Sequence, residues 1–180
     1  MRTSRARQPH GCLVAFGMKD KGTPNRFSEM TTEEAHLWCD AIGRIILAFG
    51  AFEFTTIRWI HRLKIERTDD EYLTAKLGGR ISAIVKNIDS FPPNPVFAEA
   101  RELFVEAKRH TTLRNKIAHN PMAFIAVDQR RTCGILDVRD LKGPGGRRVE
   151  LLDPEEVVSA SERIKHITTR LQLLLAECPT

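Results

Sequence analysis

Three side chains in the second half of the chain have types and spacing suited to phosphate chemistry. They are Arg114, Asn115 and His119, in the run Leu113-Arg114-Asn115-Lys116-Ile117-Ala118-His119-Asn120-Pro121. A histidine can move a proton at a ribose 2′-hydroxyl or at a leaving oxygen. An arginine can hold phosphoryl oxygens bidentately and stabilise charge that develops on them. Asn115 and His119 are four apart, so on a helix they share a face, and the amide can orient the imidazole or bind what it acts on. Arg114 lies five before His119, about 140° around an ideal helix, so this pair does not converge automatically. A last turn loosened at Pro121, an arginine wrapped around the helix, or a second copy in a symmetric dimer would each bring the two together. Lys116 and His110 are candidate substrate-binding cations, His110 lying four before Arg114 on its face. Basic residues also collect in last helical turns, where they oppose the dipole. On spacing alone both readings stand.

The elements that must position these groups read as helices. Thr31 and Glu34 have capping-box spacing. From there Leu37, Trp38, Ala41, Ile42, Ile45, Ile46, Phe49, Phe52, Ile57, Ile60 and Leu63 recur at three and four residues, which predicts one long helix to about residue 64. Trp38 and Trp59 read as core rather than as stacking platforms. Gly43 and Gly50 are seven apart on one face, and permit close approach of a neighbouring helix or a bend. Thr68 and Glu71 match a second capping box, opening a helix through Ile88 with Gly78-Gly79 in its middle. Phe91-Pro-Pro-Asn-Pro95 is a break. Asn94 then caps a third helix with Pro95 in its first turn, ending near His119 because Asn120 precedes a proline.

The period then changes. Met122–Val127 and Cys133–Val138 read as a β-hairpin around the polar Asp128–Thr132, with a third short strand at 147–152. Asp153, Pro154, Glu155 and Glu156 open a last helix striped by Val157, Val158, Ile164, Ile167, Leu171, Leu174 and Leu175. The expected fold is therefore mainly α, an antiparallel bundle of about four helices with a β-hairpin, about 122–138, inserted before the last. Residues 29–180 form one domain, behind a basic, flexible tail at 1–28.

Charge and composition narrow the function. The net charge is +5, but residues 1–30 hold six Lys and Arg against two acids, which leaves +1 for the other 150 residues. Such a tail can contact phosphates or simply be solvated. Four separated cysteines include no CxxC pair, and no Cys/His or acidic cluster has ligand spacing, so no metal or cofactor is expected. No apolar run reaches the length of a membrane span, and a signal peptide is disfavoured because Lys19-Asp20-Lys21 follows the short apolar patch. A cytoplasmic location fits best.

Arg114-Asn115-Lys116-Ile117-Ala118-His119 resembles the Rx4–6H motif of the HEPN superfamily, in its form with Asn after the Arg. The long helix upstream and the final helix after the motif are also similar, so the resemblance covers roughly residues 31–178. It implies a helical, commonly dimeric protein, many of whose relatives are metal-independent RNases in toxin–antitoxin or phage-defence systems. Carried over, Arg114 and His119 are catalytic, with Asn115 accessory, RNA is the substrate, and a homodimer joins two motifs in one cleft. An antitoxin or neighbouring-gene product is an implied partner. Non-catalytic dimerisation, nucleotide-binding and partner-binding modules also occur in the superfamily, and form the alternative. Pro121 stands where some of its toxins carry a modifiable Tyr, so that mode of control is not expected.

Overall fold

The computed structural model of the chain describes residues 14–15, 31–65, 75–120, 122–127, 130–136 and 148–178. Its helices are α1 (Thr32–Arg62), α2 (Leu77–Ile88), α3 (Pro95–His119) and α4 (Pro154–Glu177). Its strands are β1 (Val14–Ala15), β2 (Met122–Val127), β3 (Arg130–Leu136) and β4 (Arg148–Leu152). The protein is mainly helical, with an antiparallel hairpin before the last helix.

Local sequence sets the helix starts. The Thr31 hydroxyl accepts from the Glu34 N–H at 3.2 Å, while the Glu34 carboxylate accepts from the Thr31 N–H at 2.9 Å. Asn94 accepts from the N–H of Val96, and Asp153 from that of Glu155, each with proline in the first helical turn. α2 differs from the expectation. Its described start is Leu77, so Gly78 and Gly79 sit in its first turn, and Lys76 offers no side-chain cap. Thr68, Glu71 and the neighbouring Tyr72 and Leu73 lie outside the described residues.

Apolar stripes bring the helices together. Trp38, Ile45, Phe49, Phe52, Trp59 and Ile60 of α1 are buried with Phe104 of α3 and Ile164, Ile167 and Leu171 of α4. Trp59 meets Phe104 edge-on at 5.7 Å and donates its indole N–H to the Leu171 carbonyl, so it is core. Leu37 and Ile46 depart from the expected stripe and are exposed. α3 runs antiparallel to α2 and α4, as the pairs Arg101–Asp89, Lys108–Ser82, Arg163–Glu106 and Arg170–Glu99 require. α1 and α4 lie side by side in the same direction, with Arg44 near Glu162, Thr55 bonded to Gln172 and Arg62 to the Cys178 carbonyl.

The strands form one antiparallel sheet in the order β1-β4-β3-β2. Val127 pairs with Arg130, leaving two residues between β2 and β3 instead of the five read from polarity. Ladder bonds come from backbone groups, so polar Arg130, Arg131 and Thr132 extend the strand, and two-residue connections suit hairpins. Val14 and Ala15 pair with Val149 and Arg148, so one short piece of the basic tail is held in the sheet. Cys133, Ile135 and Leu152 join the same buried core as the helices, and an ion pair from Lys116 to Glu150 ties the sheet to the end of α3.

Candidate active site

α3 remains helical through His119, and the Asn120 N–H reaches the Lys116 carbonyl at 3.2 Å. The last turn is thus not loosened before Pro121. Arg114 and His119 nevertheless meet, with Arg114 Nη1 3.4 Å from His119 Nε2. The long arginine side chain closes the angle between the two Cα positions. Nη1 also donates to Asn115 Oδ1 at 3.2 Å. One guanidinium nitrogen therefore faces both the amide and the imidazole. Arginine has no acceptor, so its contact with His119 is a hydrogen bond only when Nε2 carries no proton. Asn115 and His119 are exposed, and Arg114 is half-buried, so the group lies at the surface of the bundle.

The other edge of Arg114 is fixed by a residue that sequence reasoning missed. Glu53, on α1, accepts from Arg114 Nη2 through Oε1 at 3.0 Å and from Arg80 Nη2 through Oε2 at 2.9 Å. Arg80 comes from α2 and is itself buried. Three helices thus converge on one carboxylate. A signal was present: Glu53 is the sole charged residue between Arg44 and Arg58. Arg80 likewise interrupts the apolar stripe of Leu77, Ile81, Ile84 and Ile88. The Nε atoms of Arg80 and Arg114 are buried without a hydrogen-bond partner among the described residues.

The two candidate substrate-binding cations are placed elsewhere. Lys116 Nζ lies 2.6 and 2.7 Å from the two carboxylate oxygens of Glu150 on β4, so it ties α3 to the sheet. His110 lines a groove between α3 and α4 with Glu106, Arg109, Leu113, Glu156 and Arg163. Nine residues along α3, about 13 Å, separate it from His119. Both Glu53 oxygens are taken by arginines, and no group of three or more His, Cys, Asp or Glu side chains that could hold a metal ion occurs among the described residues. No helix among them is long and apolar enough to cross a membrane.

The arrangement offers a fixed guanidinium for an anion, an imidazole beside it for proton transfer, and an exposed amide, all on the solvent side of α3. Compared with known proteins, the chain matches no family model, no curated protein and no solved structure.

Proposed function

We propose that this chain is a HEPN-like, metal-independent endoribonuclease that acts as a homodimer in a toxin or phage-defence setting. The observation that supports it most is the 3.4 Å approach of Arg114 Nη1 to His119 Nε2, with Asn115 on the same nitrogen. Arg114 binds the scissile phosphate and stabilises the charge on its non-bridging oxygens. The ribose 2′-oxygen attacks the adjacent phosphorus, the bond from phosphorus to the 5′-oxygen breaks, and a cyclic phosphate forms. One His119 accepts the 2′ proton, and the second copy's imidazole supplies a proton to the leaving 5′-oxygen. Asn115 orients the imidazole or the ribose.

An exposed stripe on α1 supports the dimer. Gly43, Leu47, Gly50 and Phe54 follow one another at three and four residues, with Leu47 75% and Phe54 61% exposed. A side chain at Gly43 or Gly50 would meet nothing within 4 Å among the described residues. Small and large residues alternate, so the stripe complements its own copy turned end for end. The same stripe also favours a second reading, a non-catalytic module that docks a second copy or a neighbouring-gene protein such as an antitoxin.

The chemistry separates the two readings. Unmodified single-stranded RNA, incubated with the protein in EDTA, is expected to yield 2′,3′-cyclic phosphate ends. The same strand with 2′-O-methyl groups is expected to stay intact. Cutting of the methylated strand, or 3′-hydroxyl ends, would exclude attack by the 2′-oxygen.

A further inference from the structure

We infer that Arg80 is a positioning residue that acts through Glu53 to keep the guanidinium of Arg114 open to an anion. The inference rests on the reading above only in giving Arg114 an anion to hold. A carboxylate facing one arginine tends to take two parallel N–H bonds from it. Glu53 does not do this, because its oxygens are divided between two arginines. Oε2 is occupied by Arg80, so only Oε1 reaches Arg114, and it takes a single donor from Nη2. Nη1 is left to turn towards Asn115 and His119. The three charges sum to +1, and the exposed end of that sum is Arg114.

The state of Arg80 itself points the same way. Its side chain is only 7% exposed, yet among the described residues it makes one hydrogen bond, to Glu53, and its Nε has no partner. Replacing a whole buried ion-pair group by apolar side chains of similar size is often neutral or better for stability, so a cation this sparsely bonded is weak evidence of a stabilising role. Its charge has a clear effect at one place, the carboxylate that would otherwise close on Arg114. Removing Arg80 frees Oε2, and Glu53 then engages Arg114 with both oxygens and neutralises it. Removing the carboxylate as well returns Arg114 to the anion. Two losses together therefore restore what one destroys, which a merely structural role for Arg80 does not produce.

The test uses the full chain and a fluorescent single-stranded RNA methylated at every 2′-oxygen, with binding read by anisotropy at low salt. Arg114→Ala sets the level of binding that does not pass through the site. Arg80→Met is expected to weaken binding about tenfold, the effect of losing one charge-assisted hydrogen bond. Adding Glu53→Gln to it is expected to bring affinity back to within about threefold of wild type. Circular dichroism checks folding, and Arg80→Gln, alone and with Glu53→Gln, carries the comparison if the methionine variant does not fold. Wild-type affinity in the Arg80 variant, no recovery in the double variant, or wild-type binding that ignores Arg114 would each overturn the inference. Cleavage is scored separately. A protein that shows this recovery but cuts no RNA loses the ribonuclease reading and keeps the clamp, and one that cuts RNA without the recovery does the reverse.

Discussion

Arg114 and His119 meet because an arginine side chain is long, not because the helix bends. Their Cα positions diverge around α3, and sequence spacing could not choose between a wrapped side chain, a loosened turn and a dimer. The wrapped side chain is what occurs, so the contact forms within a single chain. What spacing could not show is what holds the guanidinium there. Glu53 and Arg80 are 61 and 34 residues from Arg114, and only the packing of α1 and α2 against α3 brings them in. Lysine is a poor substitute at such a position, because one ammonium cannot serve Glu53, Asn115 and a phosphate in fixed directions. Arg114→Lys is therefore expected to lower single-turnover RNA cleavage by at least about tenfold at saturating RNA despite conserving charge. Cleavage by the lysine variant at the wild-type rate would show that charge alone suffices. Thiol chemistry is equally local. Burial pushes the Cys133 thiol up to about 11, while Cys39 is exposed. A thiol reagent at neutral pH is expected to label Cys39 in the folded protein and Cys133 only on unfolding, as peptide mapping would show.

The helices were the most legible part of the chain, because caps and 3.6-residue stripes are local signals. Thr31 with Glu34, Asn94 with Pro95 and Asp153 with Pro154 all cap as their spacing predicts. The hairpin loop was misread because side-chain polarity does not decide backbone pairing. The end of α1 carried no such signal. Lys64 there has φ of 49°, and the Lys64 and Ile65 N–H groups bond back to His61 and Ile60, a Schellman arrangement built without glycine. Lys64→Gly is expected to raise stability by about 0.5–1 kcal/mol in urea unfolding, since glycine accepts that backbone without steric cost. An unchanged or lower midpoint would contradict the assignment.

α3 and α4 are joined by ion pairs, and these give stability a pH dependence. Hydrogen bonds from Arg170 and Arg163 hold the Glu99 and Glu106 carboxyls below the usual carboxylate range. A folded pKa below the unfolded one means the stabilisation is full at neutral pH and is lost as pH falls through the folded value. Thermal midpoints are thus expected to drop below about pH 4.5. Glu106→Gln is expected to cost about 1–2 °C at pH 7 and to flatten part of that drop, an effect kept small by solvent screening. A variant with the same acid limb as wild type would assign the drop to other groups.

For the whole molecule, the glycine pair of α1 was legible as a place of close approach, but not as a surface that none of the described helices covers. Gly43, Leu47, Gly50 and Phe54 face open space on the helix that also supplies Glu53. A homodimer through this stripe is expected to dissociate on Leu47→Glu, with the dimer Kd rising at least about tenfold in sedimentation and helix content unchanged. A variant that sediments as wild type would move the interface elsewhere. The central claim is that Arg114 and His119 cut RNA, and the direct measurement is single-turnover cleavage of end-labelled single-stranded RNA in EDTA by wild type and His119→Ala. Wild type is expected to cut, and the variant to be slower by at least about a hundredfold. Equal cleavage by both proteins, or none by either across RNAs of varied sequence and structure, would contradict it.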